Sequence, residues 1–333
     1  MLLKREMLSR RLIRIKVFKA LFSYVGSETT DLAGAEKGLD RSCDQVRDLY
    51  YLMLKIAESL VDVASEKIAA GMRKFHPTEE EANPNLKFVG NRLVKILEED
   101  RVIKDYCSKH KLSWKDYDAF VRKVYASIQT KDYFKDYMSS GEGSLKEDCR
   151  LVSCIFQDEF EDNEELLSIL EDMSIFRSGE HDFPVLWEDD LAYTLNIIIA
   201  GLQKTGTTGK IHHPELFAVG NGDGVEDDLE FLHRLFEKSV LHYDEYTELI
   251  SGKLSNWKAD RVVSTDNLLM VMGITEAVSF PTIPTNVTIN EYVEISKYYS
   301  TPNSRIFVNG ILDAIIKEKV ASGEIWKTGR GLL

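Results

Sequence analysis

Apolar residues recur at three- and four-residue intervals along almost the whole chain, and strict alternation is scarce. The pattern predicts helices over 9–25, 41–74, 86–109, 114–129, 144–157, 163–176, 187–202, 228–253, 257–279, 288–299 and 304–320. Several carry start signals. Ser9 can cap the first helix, and Ser144 stands three residues before Glu147 with the spacing of a capping box. Ser113 precedes Trp114, with Asp116 in the first turn. Pro281 to Pro284 and Thr301-Pro302 mark turns between the last helices. None of the seven prolines lies between Pro84 and Pro184, so nothing breaks the helices there. The fold class predicted is all-α, with no internal repeat. Two stretches lack a sustained apolar pattern: Ser27 to Gly38, and Lys204 to Asp228 with its five glycines. Both are predicted linkers, and the second reads as the more mobile.

A hydrophobic fraction of 44% supports a sizeable core, which excludes a disordered chain. At 333 residues the chain should form two domains, or one with a large insertion. The four cysteines (Cys43, Cys107, Cys149, Cys154) form no CxxC pair, so neither a disulfide framework nor a zinc ribbon is expected. Arg10, Arg11, Arg14 and Lys16 interrupt the start too early for a signal peptide. Leu191 to Leu202 is far too short to span a bilayer. These features predict a soluble cytoplasmic protein that does not associate with membranes.

A net charge of −13 argues against a surface that binds polyanions everywhere. The charge is partitioned, however. Residues 1–24 hold seven cations against one acid, a net of +6, whereas 147–190 hold fifteen acids against two cations, a net of −13. At 100° per residue Arg10, Arg11 and Arg14 share one sector of the first helix. Cations at a helix start oppose the macrodipole, so helix stability does not explain them. A phosphate partner would, because guanidinium forks suit phosphates. The plainer alternative is a core helix with a basic end. Its other residues, Ile13, Val17, Phe18, Leu21, Phe22 and Tyr24, are apolar nearly all round.

Other motifs fail on chemistry. Gly206-Thr-Thr-Gly209-Lys210-Ile211 lacks P-loop spacing, and Gly220-Asn-Gly222-Asp-Gly224 lacks a third glycine and a preceding strand. Val225 breaks the calcium-loop alternation begun by Asn221 and Asp223. His212-His213 has no second ligand pair. No cofactor or metal is expected.

The last quarter contains Ile289-Asn290-Glu291-Tyr292-Val293-Glu294-Ile295-Ser296-Lys297-Tyr298-Tyr299 and Phe307-Val308-Asn309-Gly310-Ile311-Leu312-Asp313. Near the start stands Arg10-Arg11-Leu12-Ile13-Arg14-Ile15-Lys16-Val17-Phe18-Lys19-Ala20-Leu21-Phe22. Together, and in this order, the three strings resemble the NusB family of transcription antitermination factors. The resemblance covers 9–25 and 228–319, or 109 residues. It implies an all-helical, non-enzymatic protein that binds single-stranded boxA-type RNA together with the ribosomal protein NusE. It also implies membership of the RNA polymerase elongation complex, with a role in rRNA transcription and processing.

By the same resemblance Arg10, Arg11, Arg14 and Lys16 fall on the family's RNA-binding helix, and Leu12 replaces a further arginine. Asn303, Arg305 and Phe307 fall where the family meets RNA. Phe22 and Asp266 fall on the partner-facing side. Read without the resemblance, Phe307 belongs to a core row with Ile311 and Ile315. Likewise Ile289, Val293, Ile295, Val308, Ile311, Leu312 and Ile315 read as core. Asn290 and Glu291 read as first-turn polar groups, Gly310 as a close helix crossing, and Trp257 and Trp326 as packing residues.

The division implied is a family-like helix at 1–26, an insert at 27–227, a family-like core at 228–320 and a tail. The insert's acidity suggests three roles: a docking surface, an enlarged core, or a polyanion mimic that folds onto the basic helix and competes with RNA. Two alternatives to RNA binding stand: a scaffold of the transcription machinery that contacts only proteins, and a fusion to an rRNA methyltransferase. The latter needs an α/β domain that this strand-poor sequence does not show.

Overall fold

The computed structural model describes residues 6–27, 31–141, 143–173, 175, 188–219, 227–253 and 264–332. Every regular element among them is helical. The helices are α1 (Arg10–Gly26), α2 (Leu32–Met72), α3 (Glu79–Ala82), α4 (Arg92–Glu99), α5 (Arg101–His110), α6 (Asp118–Ile128), α7 (Asp132–Ser139), α8 (Leu145–Glu159), α9 (Glu164–Asp172), α10 (Glu188–Thr208), α11 (Asp228–Leu241), α12 (Tyr243–Lys253), α13 (Ser264–Ser279), α14 (Thr285–Tyr299) and α15 (Ser304–Ala321). The all-α class is therefore as predicted. The chain forms two compact units. One combines the start, up to Cys43, with everything from Glu215 on; the other is built from the chain between Asp44 and Pro214.

In the first unit α13 is the central helix. Every residue from Asp266 to Ala277 is buried, and α1, α11, α12, α14 and α15 pack around it. Such all-round burial needs an apolar sequence on every face, and Leu268 to Ile274 supplies it. The close crossing belongs to Gly273 and not to Gly310. A Cβ on Gly273 would lie 2.9 Å from Leu312 Cδ2, whereas Gly310 is exposed with open space around it. The tail packs onto the same unit. Ile325 is buried, Lys327 Nζ donates to the Ala277 and Phe280 carbonyls, and Thr328 N–H donates to Pro281. Lys327 thereby occupies carbonyls at the end of α13 that no helical N–H can reach.

In the second unit α8 packs along α10, with α4, α6 and α7 around it. Trp114 is buried and its indole N–H donates to Leu52 O at 2.8 Å. Buried Asp148 accepts from Tyr137 OH at 2.7 Å and from Arg92 N at 3.0 Å.

Several boundaries differ from prediction, each for a local reason. The predicted helix 86–109 is interrupted at Asp100, whose carboxylate accepts from Ile103 N and starts α5. The predicted helix 228–253 breaks at His242. The linker expected from Lys204 begins later, because α10 runs to Thr208 and ends where Gly209 takes φ 71°. The linker expected over Ser27 to Gly38 is helical from Leu32, with Asp31 accepting from Gly34 N. Helix α7 had no counterpart in the prediction. Helix α14 starts at Thr285, so Asn290 and Glu291 lie beyond its first turn. Trp326 is 63% exposed and does not pack, while Trp257 and the glycines at 220, 222 and 224 lie outside the described residues.

Candidate nucleic-acid interface

Ser9 caps α1 by accepting from Leu12 N, so the arginines fall in its first turns as predicted. Each guanidinium has a carboxylate partner. Arg10 Nε lies 2.5 Å from Asp228 Oδ1, and its guanidinium stacks over Phe231 at 4.2 Å. Arg11 forms a two-point bridge to Glu291 at 2.9 and 2.8 Å and keeps half its side chain exposed. Arg14 forms a two-point bridge to Glu276 at 2.7 and 2.8 Å, and both are buried.

Glu276 anchors a closed network. Its carboxylate also accepts from Thr288 Oγ1 at 2.8 Å and Tyr292 OH at 3.0 Å. Four donors saturate the anion, which is how a charge survives full burial. Burial disfavours the charged form of Arg14, but the charge and hydrogen bond of Glu276 outweigh it and raise its pKa. Burial likewise opposes ionisation of Glu291, yet the Arg11 hydrogen bond and the charges of Arg14 and Arg11 lower its pKa.

Two residues expected to meet RNA are thus inside. Arg14 is 3% exposed, and Lys16 is 2% exposed with Nζ donating to Ser42 O at 2.9 Å. Neither can reach a phosphate without dismantling buried polar contacts. Asp266, expected on the partner-facing side, is also buried and accepts from Ser304 Oγ at 2.7 Å, holding the start of α15. Phe22 is half-buried, with its ring 6.4 Å from Phe18.

The remaining candidates cluster at the start of α15. Asn303 and Arg305 are exposed, Ile306 is 63% exposed and Phe307 is half-buried. Arg305 forms no ion pair among the described residues. Tyr298, at the end of α14, is 82% exposed. Arg11 meets Glu291 near the start of α14, and Phe18 meets Tyr299 near its end at 5.4 Å. Helices α1 and α14 therefore run side by side. At 1.5 Å rise per residue, the eight residues from Glu291 to Tyr299 separate the Arg11 end from the α15 end by about 12 Å.

Sequence reasoning missed Glu276 and Glu291. The signal for Glu276 was present: it is the one acid in the otherwise uncharged run from Asn267 to Pro284. A charge there has to be paired. No cluster of three or more His, Cys, Asp or Glu side chains suited to a metal occurs among the described residues. Nor is any described helix long and apolar enough to cross a membrane.

The NusB family model matches residues 210–317. Relatives carrying the description "Transcription antitermination protein NusB" match the same part of the chain length. The protein of Thermodesulfovibrio yellowstonii is 38% identical over 107 residues, 32% of this chain and 71% of its own. That of Salinibacter ruber is 38% identical over 104 residues, 31% of this chain and 65% of its own. That of Chloroherpeton thalassium is 36% identical over 104 residues, 31% of this chain and 49% of its own. The chain thus spans about half to seven tenths of the length of these relatives. No solved structure gives a significant match. The matched residues include α11 to α15, whose packing around α13 holds Glu276, Glu291 and Arg305 in place. On sequence and on this helical core, the chain belongs to the NusB family.

Proposed function

We propose that this protein is a non-enzymatic, cytoplasmic transcription antitermination factor that binds boxA-type single-stranded RNA together with NusE in the RNA polymerase elongation complex. The exposed start of α15 carries the reading. Arg305 supplies a cation without a carboxylate partner among the described residues, Asn303 a side-chain amide, and Tyr298 an exposed ring. Arginine can meet a phosphate, the amide a base edge, and the ring a base face. Phe307 contributes as a half-buried support beneath that surface. Arg11 lies about 12 Å away along α14, within the reach of a strand several nucleotides long. Releasing Glu291 costs it little, since half-exposed ion pairs are worth at most about 1 kcal/mol. Phe22 lies towards the same end of α1 as Phe18 and is the candidate contact for NusE. Arg14, Lys16 and Asp266 support this surface from inside.

A scaffold that contacts only proteins is the second reading, and one observation favours it. All three arginines of the α1 motif already have carboxylate partners. Salt dependence separates the two. With Arg10, Arg11 and Arg305 each on a phosphate, log affinity for boxA RNA should fall with log salt at a slope near −2, and Arg305→Ala should flatten it by about 0.7. Co-purification with NusE should succeed, and boxA RNA should strengthen it. Failure to form the ternary complex at near-physiological salt would remove the RNA reading.

A further inference from the structure

Among the described residues, α5 carries a row of cations that form no ion pair, whereas each arginine of the α1 motif has a carboxylate partner. Residues 101–111 hold four cations (Arg101, Lys104, Lys109, Lys111) against one acid, Asp105, a net of +3. All four are exposed, and none forms an ion pair among the described residues. At 100° per residue Arg101, Lys104 and Lys109 share an arc of about 140°, opposite the buried Ile103 and Cys107. The helix macrodipole accounts for Lys109 and Lys111 at its C-terminal end. It opposes Arg101 and Lys104 at the other end, so helix stability does not explain the full row.

Beside this row runs a series of rings. Tyr51 lies 4.4 Å from Tyr106, and Tyr106 stacks on His110 at 4.1 Å with only 12° between the planes. Tyr51 is buried and His110 is exposed, so the series leads from the core to the surface. Asp48 fixes its outer part: Tyr106 OH lies 2.7 Å and His110 Nδ1 2.9 Å from the same carboxylate oxygen. A rigid ring at the edge of unpaired cations is the arrangement that binds single-stranded nucleic acid, with phosphates on the cations and a base on the ring.

We propose that the exposed face of α5 is a second contact for single-stranded RNA, in which Arg101, Lys104, Lys109 and Lys111 meet phosphates and His110 takes a base. It rests on the reading of the protein as an RNA-binding factor and adds a contact for RNA outside the boxA element. An acidic polypeptide would satisfy the cations but gains nothing from the stacked rings. RNA uses both.

The test uses the full chain and two labelled RNAs: a boxA-length oligonucleotide, and the same oligonucleotide with an unstructured oligouridine tail. Binding is measured against salt for the wild type, for Arg305→Ala, and for the combined variant Arg101→Gln, Lys104→Gln, Lys109→Gln and Lys111→Asn. Asparagine is chosen at position 111 because Lys111 has φ 56°. The tail should tighten wild-type binding and steepen the salt slope. The combined variant should lose that gain, flattening the slope by about 2 to 3, while the boxA-length RNA binds it as before. His110→Ala should weaken only the tailed RNA, and His110→Phe should restore it. Circular dichroism melts check that the variants fold.

If the tail adds nothing, or the combined variant binds tailed RNA like the wild type, this proposal is overturned while the boxA reading stands. If boxA-length RNA fails to bind but the tailed RNA binds and depends on α5, the boxA reading falls and this one stands. If polyglutamate displaces the tailed RNA as well as unlabelled oligouridine added at equal charge does, the face recognises acidic polypeptide and the proposal is overturned.

Discussion

Arg11 and Arg14 stand three residues apart in one motif, yet one is half exposed and the other buried. What separates them is the partner. Glu291 sits near the rim, while Glu276 sits in the last turn of the most buried helix and is 0% exposed. Breaking a buried pair leaves an uncompensated charge, at about 3–5 kcal/mol, while an exposed pair is worth about 1 kcal/mol or less. Urea unfolding of Arg14→Ala should therefore show a loss of about 3–5 kcal/mol, and Arg11→Ala a loss below about 1 kcal/mol. Equal losses would mean that the two pairs are equally desolvated. The sequence showed that the arginines share one face of α1. It could not show which of them faces inward, because that depends on carboxylates more than 260 residues away.

At the scale of elements, helix type and order were legible and their close contacts were not. Periodicity identifies α1, α8 and α15, and the predicted cap residues Ser9 and Ser144 do accept from the backbone. It says nothing about which glycine meets a neighbour, since both Gly273 and Gly310 lie mid-helix. Gly273→Ala should destabilise the protein. Its Cβ would press on Leu312 and approach Tyr292 Cδ2 at 3.3 Å, and that ring is held by Glu276. Overpacking costs about 1–3 kcal/mol, more than the ~1 kcal/mol gained in helix propensity. Gly310→Ala meets nothing and should gain up to about 1 kcal/mol. Thermal melts of the two variants should move in opposite directions.

The tail provides a prediction of a different kind. Burial pushes the Lys327 pKa down to about 8, against the opposing pull of Glu276. The unfolded chain keeps its lysine proton up to about 10.4. Between those values the unfolded state holds the extra proton, so stability rises with pH across that window and the burial penalty is fully present below it. Lys327→Met should lack the rise. Urea midpoints of wild type and variant at both ends of the window would show the difference, and parallel profiles would place Lys327 in water.

For the whole molecule, the proposed RNA binding makes a testable statement about the acidic segment 147–190. The acidity of 147–190 invites the idea of a polyanion mimic that competes for the basic start. Part of that acid is engaged within its own unit: Asp158 and Glu159 hold Lys131, Glu165 holds Lys123, and Asp172 accepts from Tyr117. The basic start is matched within its own unit as well, by Asp228, Glu291 and Glu276. The arginines such a mimic would compete for are thus already matched by carboxylates of their own unit, while on the acidic side two lysines match three carboxylates. Net charge by segment could not reveal this, because it counts charges without their partners. Glu161, Asp162, Glu164 and Glu171 remain exposed. A mimic built on them predicts that Glu161→Gln, Asp162→Asn, Glu164→Gln and Glu171→Gln together tighten boxA RNA binding, most strongly at low salt. Local neutralisation predicts no such gain, and that is the outcome expected here: affinity within about twofold of wild type at 0.15 M salt, where charges more than about 8 Å apart are largely screened. A tenfold gain that disappears at high salt would instead make the insert an inhibitor of its own protein.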